Sequence, residues 1–143
     1  MSDMSDEAAV IEVYNAWCKA FQGMDAEGMK SLFDQDFPGL VYQSEENVEP
    51  MYTWAEIDAY WSAAPGLVTL IPEWRELTRK VSVDDDSAIV YAKLQTHLEI
   101  KGAKRPLLGE LRCLIGLHRA QGTWRIVHYH ESRHVDLAVL FED

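Results

Sequence analysis

Gly122-Thr-Trp-Arg-Ile-Val-His-Tyr-His-Glu-Ser132 is the stretch of this sequence that decides its fold. The glycine suits a tight turn, and the β-branched and aromatic residues after it favour a strand. Successive side chains of a strand point to opposite faces, so this strand would carry large side chains on both faces. Both faces must therefore be covered. The alternation predicts Trp124, Ile126, His128 and His130 on one face and Arg125, Val127, Tyr129 and Glu131 on the other.

The residues before this stretch predict a meander of long antiparallel strands. Apolar residues alternate with polar ones over 88–101 and again over 107–119, and short polar turns separate these segments. An earlier strand is predicted over 67–71 and 74–83, and it is interrupted at Pro72, which cannot donate a ladder hydrogen bond. In the strand over 88–101, one face is predicted to carry Val90, Ala92, Leu94, Thr96 and Leu98.

The first half of the chain has helical rather than alternating periodicity. Apolar residues over 8–24 form one stripe with a period of 3.6 residues, and Asp25 is a suitable N-cap for a second helix reaching Phe33. A short strand is predicted over 40–42. Thr53-Trp-Ala-Glu56 has the form of a capping box, and the helix that it begins is predicted to end at Ala64-Pro65-Gly66. Three helices followed by a sheet indicate an α+β fold.

Length and charge limit the functions that this chain can have. Its 143 residues fit a single domain, 1–143, and the formal net charge of −11 disfavours nucleic acid and anionic membranes as partners. No apolar run is long enough to cross a bilayer, and the acidic N-terminus lacks the features of a signal peptide, so we expect a cytoplasmic protein. Cys18 and Cys113 lie in apolar patterns and are predicted to be buried, reduced thiols.

The order of elements, together with the closing Gly-x-Trp-Arg-Ile-Val-His-x-His-x-Ser, resembles the SnoaL-like branch of the nuclear transport factor 2-like superfamily over about residues 8–133. The closing motif is also similar to the association (hub) domain of calcium/calmodulin-dependent protein kinase II. The resemblance implies a cone: three N-terminal helices packed on a strongly curved, mostly antiparallel sheet, with a pocket between them. It also implies a homodimer formed through the outer face of the sheet.

Activities known in this superfamily do not transfer residue by residue. The resemblance to ketosteroid isomerases places Trp17 near their helix tyrosine, Gln43 or Tyr42 near their basic aspartate, and Leu114 or Ile115 near their sheet acid. A glutamine cannot abstract a proton, and an aliphatic side chain cannot donate a hydrogen bond to an enolate, so that isomerisation is disfavoured. By the resemblance to the hub, Ile115 and Glu131 occupy positions of its pocket arginines.

Glu131 is the candidate catalytic residue. By the resemblance it points into the mouth of the cavity beside Tyr129, where burial would raise its pKa toward values useful for acid/base catalysis. The alternative is an exposed carboxylate paired with Arg133 or Arg112. His128 and His130 have a spacing compatible with metal binding, with His118 or Glu110 as the candidate third ligand. A structural role is favoured for them, and we expect no metal and no cofactor. Candidate ligand-binding residues are Tyr14, Trp17, Tyr42, Trp54, Trp61 and Tyr129, which could equally be ordinary core.

Three functions remain open from the sequence. The first is a binding module with a pocket for a small, largely apolar ligand. The second is an enzyme of the isomerase, cyclase or hydratase kind, with Glu131 as the acid/base. The third is an oligomeric assembly domain like the kinase hub.

Overall fold

The computed structural model describes residues 3–143, with side chains from Ser5 onward. Its elements are α1 (Asp3–Gln22), α2 (Ala26–Lys30), β1 (Val41–Gln43), α3 (Trp54–Leu67), β2 (Val68–Asp84), β3 (Ser87–Ile100), β4 (Leu107–Ala120), β5 (Thr123–Arg133) and a 3₁₀ helix, η1 (Leu137–Phe141). The five strands form one sheet in the order β1-β5-β4-β3-β2. This is the predicted α+β cone. Among the described helices, none is long and apolar enough to cross a membrane.

The predicted caps position the helices against the sheet. The Asp25 carboxylate accepts a hydrogen bond from Gly28 N at 3.0 Å, as an N-cap of α2 should. At the start of α3, the Thr53 hydroxyl accepts from Glu56 N at 3.3 Å, while the Glu56 carboxylate accepts from Tyr52 N at 3.1 Å. These two hydrogen bonds satisfy backbone donors that a helix start otherwise leaves free.

Two predicted helix ends differ from the structure. The helix α2 ends at Lys30, and Phe33 instead forms a parallel bridge with Ile126 at the edge of β5. The helix α3 does not end at Pro65 but continues to Leu67. Pro65 lacks the N–H that would donate within the helix, but it lies only two residues before the helix end. Val68 N then caps the helix by donating to Ala64 O.

The sheet is antiparallel except where β1 pairs in parallel with β5. The strand β2 runs through Pro72, and the pairing between β2 and β3 shifts register between Leu70 and Glu73 to accommodate it. The strand β3 buries the predicted face, with Val90, Ala92, Leu94, Thr96 and Leu98 all at most 6% exposed. This face and the helices enclose the core.

The alternation predicted for the final strand is wrong in its second half. Leu117 of β4 pairs with Ile126 and Gly116 pairs with His128, so Val127 is an extra residue, a β-bulge. The inward face therefore changes from Trp124 and Ile126 before the bulge to Tyr129 and Glu131 after it, while His128 and His130 become exposed.

Gly116 makes room for the bulge. A Cβ added at this glycine would lie 2.8 Å from the Cβ of His128, closer than two such atoms can approach. Only glycine lets the two strands come together at this point. The bulge thus decides which side chains of β5 reach the interior.

Candidate functional site

An aromatic cluster fills the interior of the cone. Trp17, fully buried, has the rings of Phe21 and Trp74 at 5.5 Å and that of Tyr129 at 5.6 Å. On the other side of Tyr129 lies the ring of Tyr42 at 4.7 Å, whose hydroxyl accepts a hydrogen bond from Trp61 Nε1 at 3.0 Å. The interior is therefore occupied by the chain's own side chains.

The six predicted ligand-binding residues belong to this cluster or to its border. Five are at most 2% exposed, while Trp54 is partly buried and packs on Phe33 at 5.8 Å. None of the six lines either of the two clefts described below. A ligand contact by these residues stays a prediction, and in this structure they act as packing. The full set is Tyr14, Trp17, Tyr42, Trp54, Trp61 and Tyr129.

Glu131 lies where the aromatic interior ends. The bulge at Val127 turns it inward, and only 6% of it is exposed. The Tyr129 hydroxyl donates to Glu131 Oε1 at 2.6 Å, and Glu45 N donates to Oε2 at 3.1 Å. Both carboxylate oxygens are thus held in place. Of the two predicted environments, the structure has the buried one.

Burial raises the pKa of Glu131 to about 7. Desolvation of the carboxylate is the main cause, and the nearby charges of Glu45 and Glu46 raise the pKa further, while the hydrogen bonds from Tyr129 and Glu45 N oppose the rise. Burial and the charge of Glu131 also raise the pKa of Tyr129, which therefore remains a protonated donor. A carboxyl with a pKa near neutrality can both give and accept a proton at physiological pH.

A cleft of about 400 Å³ opens beside Glu131 at the mouth of the cone. Its wall combines the end of β5 with the loop that follows β1, and Gln43 holds that loop by donating to Asn47 O at 2.7 Å. A second cleft of about 430 Å³ lies on the other side of Arg133. The first cleft is lined by Gln43, Ser44, Glu45, Asn47, His130, Glu131, Ser132, Arg133, His134 and Val135, and the second by Leu108, Gly109, Glu110, Arg133 and His134.

Arg133 pairs with Glu45 and not with Glu131. Its Nε donates to Glu45 Oε1, and Arg112 Nη2 donates to the Arg133 carbonyl at 3.0 Å. Glu45 therefore connects the arginine to the buried carboxyl, because its backbone binds Glu131 and its side chain binds Arg133. Sequence reasoning missed this role, since a glutamate in a polar loop gives no periodic signal.

The other predicted candidates lie elsewhere. His128 and His130 are exposed, whereas His118 bonds to Asp34 at 2.7 Å, and no group of three metal-binding side chains forms among the side chains described from Ser5 onward. Cys113 is buried as expected, but Cys18 is only partly buried. Burial raises the pKa of both thiols, so that neither is an activated nucleophile.

The model of the SnoaL-like domain family matches residues 10–136 of this chain. The chain belongs to that family. No curated protein matches the sequence. Family and fold are shown, and neither by itself assigns an activity to this chain.

Solved structures resemble this SnoaL-like domain in fold. They include a candidate dehydratase of the NTF2-like family from Streptomyces avermitilis, with a TM-score of 0.81 and 15% identity over 94% of this chain and 100% of that one. A candidate aromatic ring hydroxylase from Novosphingobium aromaticivorans has a TM-score of 0.78 and 16% identity over 95% and 94% of the two chains.

The similarity to the kinase hub also appears among solved structures. A candidate calcium/calmodulin-dependent protein kinase II association domain from Thiobacillus denitrificans has a TM-score of 0.66 and 17% identity, over 86% of this chain and 93% of that one. At these identities the likeness shows the fold alone.

Proposed function

We propose that this SnoaL-like domain binds a small molecule in the cleft at the mouth of the cone and that Glu131 transfers a proton to or from it. The reaction would be of the isomerase, cyclase or hydratase kind. The observation that carries this proposal is the placement of Glu131, a buried carboxyl at the wall of a cleft with both oxygens held by Tyr129 and Glu45. Buried carboxyls with raised pKa values are typical of proton-transfer sites.

The chemistry follows from the state of each group near neutral pH. The ionised form of Glu131 can take a proton from a carbon next to a carbonyl group, and the protonated form can return a proton to carbon or to a leaving hydroxyl. The Tyr129 hydroxyl orients the carboxyl and is too deeply buried to exchange places with substrate. The candidate dehydratase among the structural neighbours has a name consistent with such a reaction.

Proton exchange tests the proposal. We would incubate the protein in D₂O with a panel of small ketones, 2-oxo acids and 3-hydroxy acids and follow loss of C–H signals by ¹H NMR. We expect exchange or dehydration of at least one compound, lowered about 10²- to 10⁴-fold by Glu131→Gln, the usual contribution of a general acid/base. Glu49→Gln, which removes a charge from an exposed loop residue, is the control and should leave the rate unchanged.

A direct titration makes this test decisive even if no compound in the panel reacts. The ¹³Cδ signal of Glu131 should titrate near pH 7, because burial raises the pKa of this carboxyl. A midpoint near 4.5, or a Glu131→Gln variant with the full rate, would overturn the proposal.

The predicted homodimer is also part of the proposal. Four apolar side chains on the outer face of the sheet are more than a third exposed, and a second copy would cover them. Tyr91 and Leu114 are paired across β3 and β4 at the centre of this face. The four are Ile89 (49% exposed), Tyr91 (37%), Leu108 (59%) and Leu114 (37%).

Native mass spectrometry tests the dimer. We expect two copies for the unmodified protein and one for Leu114→Glu, while Val48→Glu, placed at a 92% exposed loop residue, should leave the dimer intact. A monomer at micromolar concentration would contradict the dimer, and a larger ring would favour a hub-like assembly role.

A further inference from the structure

The segment 135–143, which we call the tail, carries apolar side chains that the rest of the chain leaves open to solvent. Single exposed apolar residues are ordinary in soluble proteins, but a contiguous exposed apolar patch is typical of a binding surface. Five such side chains fall within seven consecutive positions of the tail, and each is more than half exposed. They are Val135 (68%), Leu137 (65%), Val139 (53%), Leu140 (71%) and Phe141 (86%).

The tail also has a defined local structure and an acidic border. Asp136 begins the 3₁₀ helix η1 by accepting a hydrogen bond from Ala138 N at 2.9 Å. Residues three apart in a 3₁₀ helix lie one above the other, so Leu137 and Leu140 share one side of η1. The apolar residues of η1 lie between Asp136 and two further acids, and the tail contains no lysine, arginine or histidine. It is therefore a short apolar helix with negative charge at both ends.

The outer face of the sheet has basic side chains around its exposed apolar residues. Tyr91, at the centre of this face, pairs across the sheet with Lys80, which is exposed. In the next row Lys93 pairs with Arg112 across β3 and β4, and Glu110 forms a salt bridge with Lys93 at 3.3 Å. Three basic residues and one acid thus border the apolar patch, which consists of Ile89, Tyr91, Leu108 and Leu114. The patch and the tail are complementary in charge as well as in polarity.

Within one copy the tail does not cover this patch. The tail leaves the sheet close to it, since His134 and Leu108 line the same cleft. Leu108 is nevertheless 59% exposed and Leu137 is 65% exposed. A single copy therefore leaves both apolar surfaces in water, and a second copy offers each of them a partner.

We propose that the tail of each copy packs on the outer face of the sheet of the second copy, so that the dimer forms by exchange of two tails. This inference rests on the proposed homodimer and names the segment that covers the exposed face. In a two-fold dimer every contact occurs twice, so one arrangement covers both tails and both patches. A standard interface uses roughly 20–30 residues a side, of which the four patch residues alone are a small part.

The length of the tail permits this exchange. The strand β5 ends at Arg133, which pairs with Leu111, and the three residues from Leu111 to Leu114 cover about 10 Å along the sheet. An element packed on a sheet face lies about 10 Å above it. The three residues before η1 span about 10 Å when extended, and the five residues of η1 add about 10 Å. The tail can therefore lie between two facing sheets and reach the patch of the second copy.

The exchange is not implied by membership of the family. The family model matches residues 10–136, and η1 begins at Leu137, beyond the matched segment. The apolar helix that we assign to the interface is therefore a feature of this chain.

The dissociation constant of the dimer tests the proposal. Native mass spectrometry over a range of protein concentrations measures it for the unmodified protein and for a double variant, Leu137→Glu with Phe141→Glu. We expect the dissociation constant to rise about tenfold or more, because two buried apolar contacts become charged. Both side chains are exposed within one copy, so the variant should keep its fold, which circular dichroism checks. Val48→Glu, at a 92% exposed loop residue, is the control and should leave the constant unchanged.

The outcomes separate this inference from the proposed homodimer. A double variant that dimerises within about twofold of the unmodified protein would overturn the exchange and leave the homodimer standing. An unmodified protein that is monomeric would remove both.

Crosslinking identifies the surface on which the tail lies. A photoreactive benzoylphenylalanine in place of Phe141 is used in a mixture of ¹⁴N-labelled and ¹⁵N-labelled copies. We expect crosslinked peptides of mixed isotope that join the tail to β3 or β4. Pairs of one isotope only would place the contact within one copy and overturn the exchange. The same group in place of Tyr52, which is 60% exposed, should give no crosslink to these strands.

A charge variant of the sheet face tests the predicted complementarity. Lys80→Glu should weaken the dimer severalfold, because the acids of the tail would then face a negative charge. Lys101→Glu makes the same change at an exposed turn and should leave the dissociation constant unchanged. Equal dissociation constants for the two variants would overturn docking of the tail on this face.

Discussion

Trp61 and Arg133 are both largely enclosed by this fold, but their surroundings differ in kind. Trp61 packs against Phe21 at 5.4 Å and gives its only N–H to the hydroxyl of Tyr42. Arg133 uses one nitrogen and leaves two buried without an acceptor. Interiors are normally packed and satisfied in the first manner. Two indole N–H groups in the interior also have no acceptor among the described residues, but these donors are neutral, whereas the guanidinium group at the mouth is charged. The mouth therefore differs from the interior because it keeps a charged donor unsatisfied.

The largest change in stability is expected for Trp17→Ala, which tests how tightly the interior is packed. Removal of a fully buried indole that touches four aromatic rings should lower the free energy of unfolding by about 3–5 kcal/mol. The indole N–H has no acceptor among the described residues, so the loss would come from packing. Urea unfolding followed by circular dichroism measures it.

The control for this variant is Tyr52→Ala at a 60% exposed position, which should change stability by no more than about 0.5 kcal/mol. If Trp17→Ala cost less than about 1 kcal/mol, the interior would be loosely packed, as the predicted apolar ligand pocket would require.

At the mouth, the expected effect depends on pH. The pKa of Glu131 is raised from 4.5 to about 7 in the folded protein, so folding favours the protonated carboxyl. Its contribution is fully present below pH 4.5 and is lost as the pH rises through 7. Between pH 5 and pH 8 the unmodified protein should therefore lose about 2 to 3 kcal/mol relative to Glu131→Gln, whose amide does not ionise.

Urea unfolding of both proteins at several pH values measures this difference, and contributions from other titrating groups largely cancel in the comparison. Glu49→Gln should follow the unmodified protein throughout, because that side chain is exposed. A constant difference between Glu131→Gln and the unmodified protein would show that Glu131 ionises as an ordinary surface carboxyl.

The same contrast explains which parts of the molecule could be predicted from sequence. Asp25, Thr53 and the alternation in β3 act through their immediate neighbours, and the structure confirms all three. Which side chains of β5 point into the core could not be predicted from the residues of β5 alone. The bulge at Val127 depends on how closely Gly116 of β4 lets β5 approach. A bulge changes the facing of every later residue.

The candidate site also has one part that could be predicted from the sequence and another that could not. Glu131 was predicted from its motif, and the structure gives it the buried setting beside Tyr129. The parts contributed by Ser44, Glu45 and Gly109 arise only when a loop, the end of β5 and the start of β4 come together, so no pattern in one segment could reveal them. The contacts of Arg133 with Glu45 belong to this second group.

The smallest expected effect on stability is that of Ser44→Ala, and it is a gain rather than a loss. Ser44 is 1% exposed, and its hydroxyl makes no well-formed hydrogen bond, because the nearby Tyr60 hydroxyl is directed to Glu46 instead. Ser44→Ala should therefore leave stability unchanged or raise it by up to about 1 kcal/mol, since replacement of an unsatisfied buried polar group by an apolar one removes an unfavourable term.

Thr96→Val is the matched comparison for Ser44→Ala. The Thr96 hydroxyl is equally buried but donates to Gly109 O at 3.0 Å, so its removal should cost about 1–2 kcal/mol. Thermal unfolding of the two variants side by side measures the difference. Equal losses would mean that Ser44 is satisfied like any core hydroxyl. A gain for Ser44→Ala would mean that the mouth of the cone keeps a buried polar group that is unfavourable for stability.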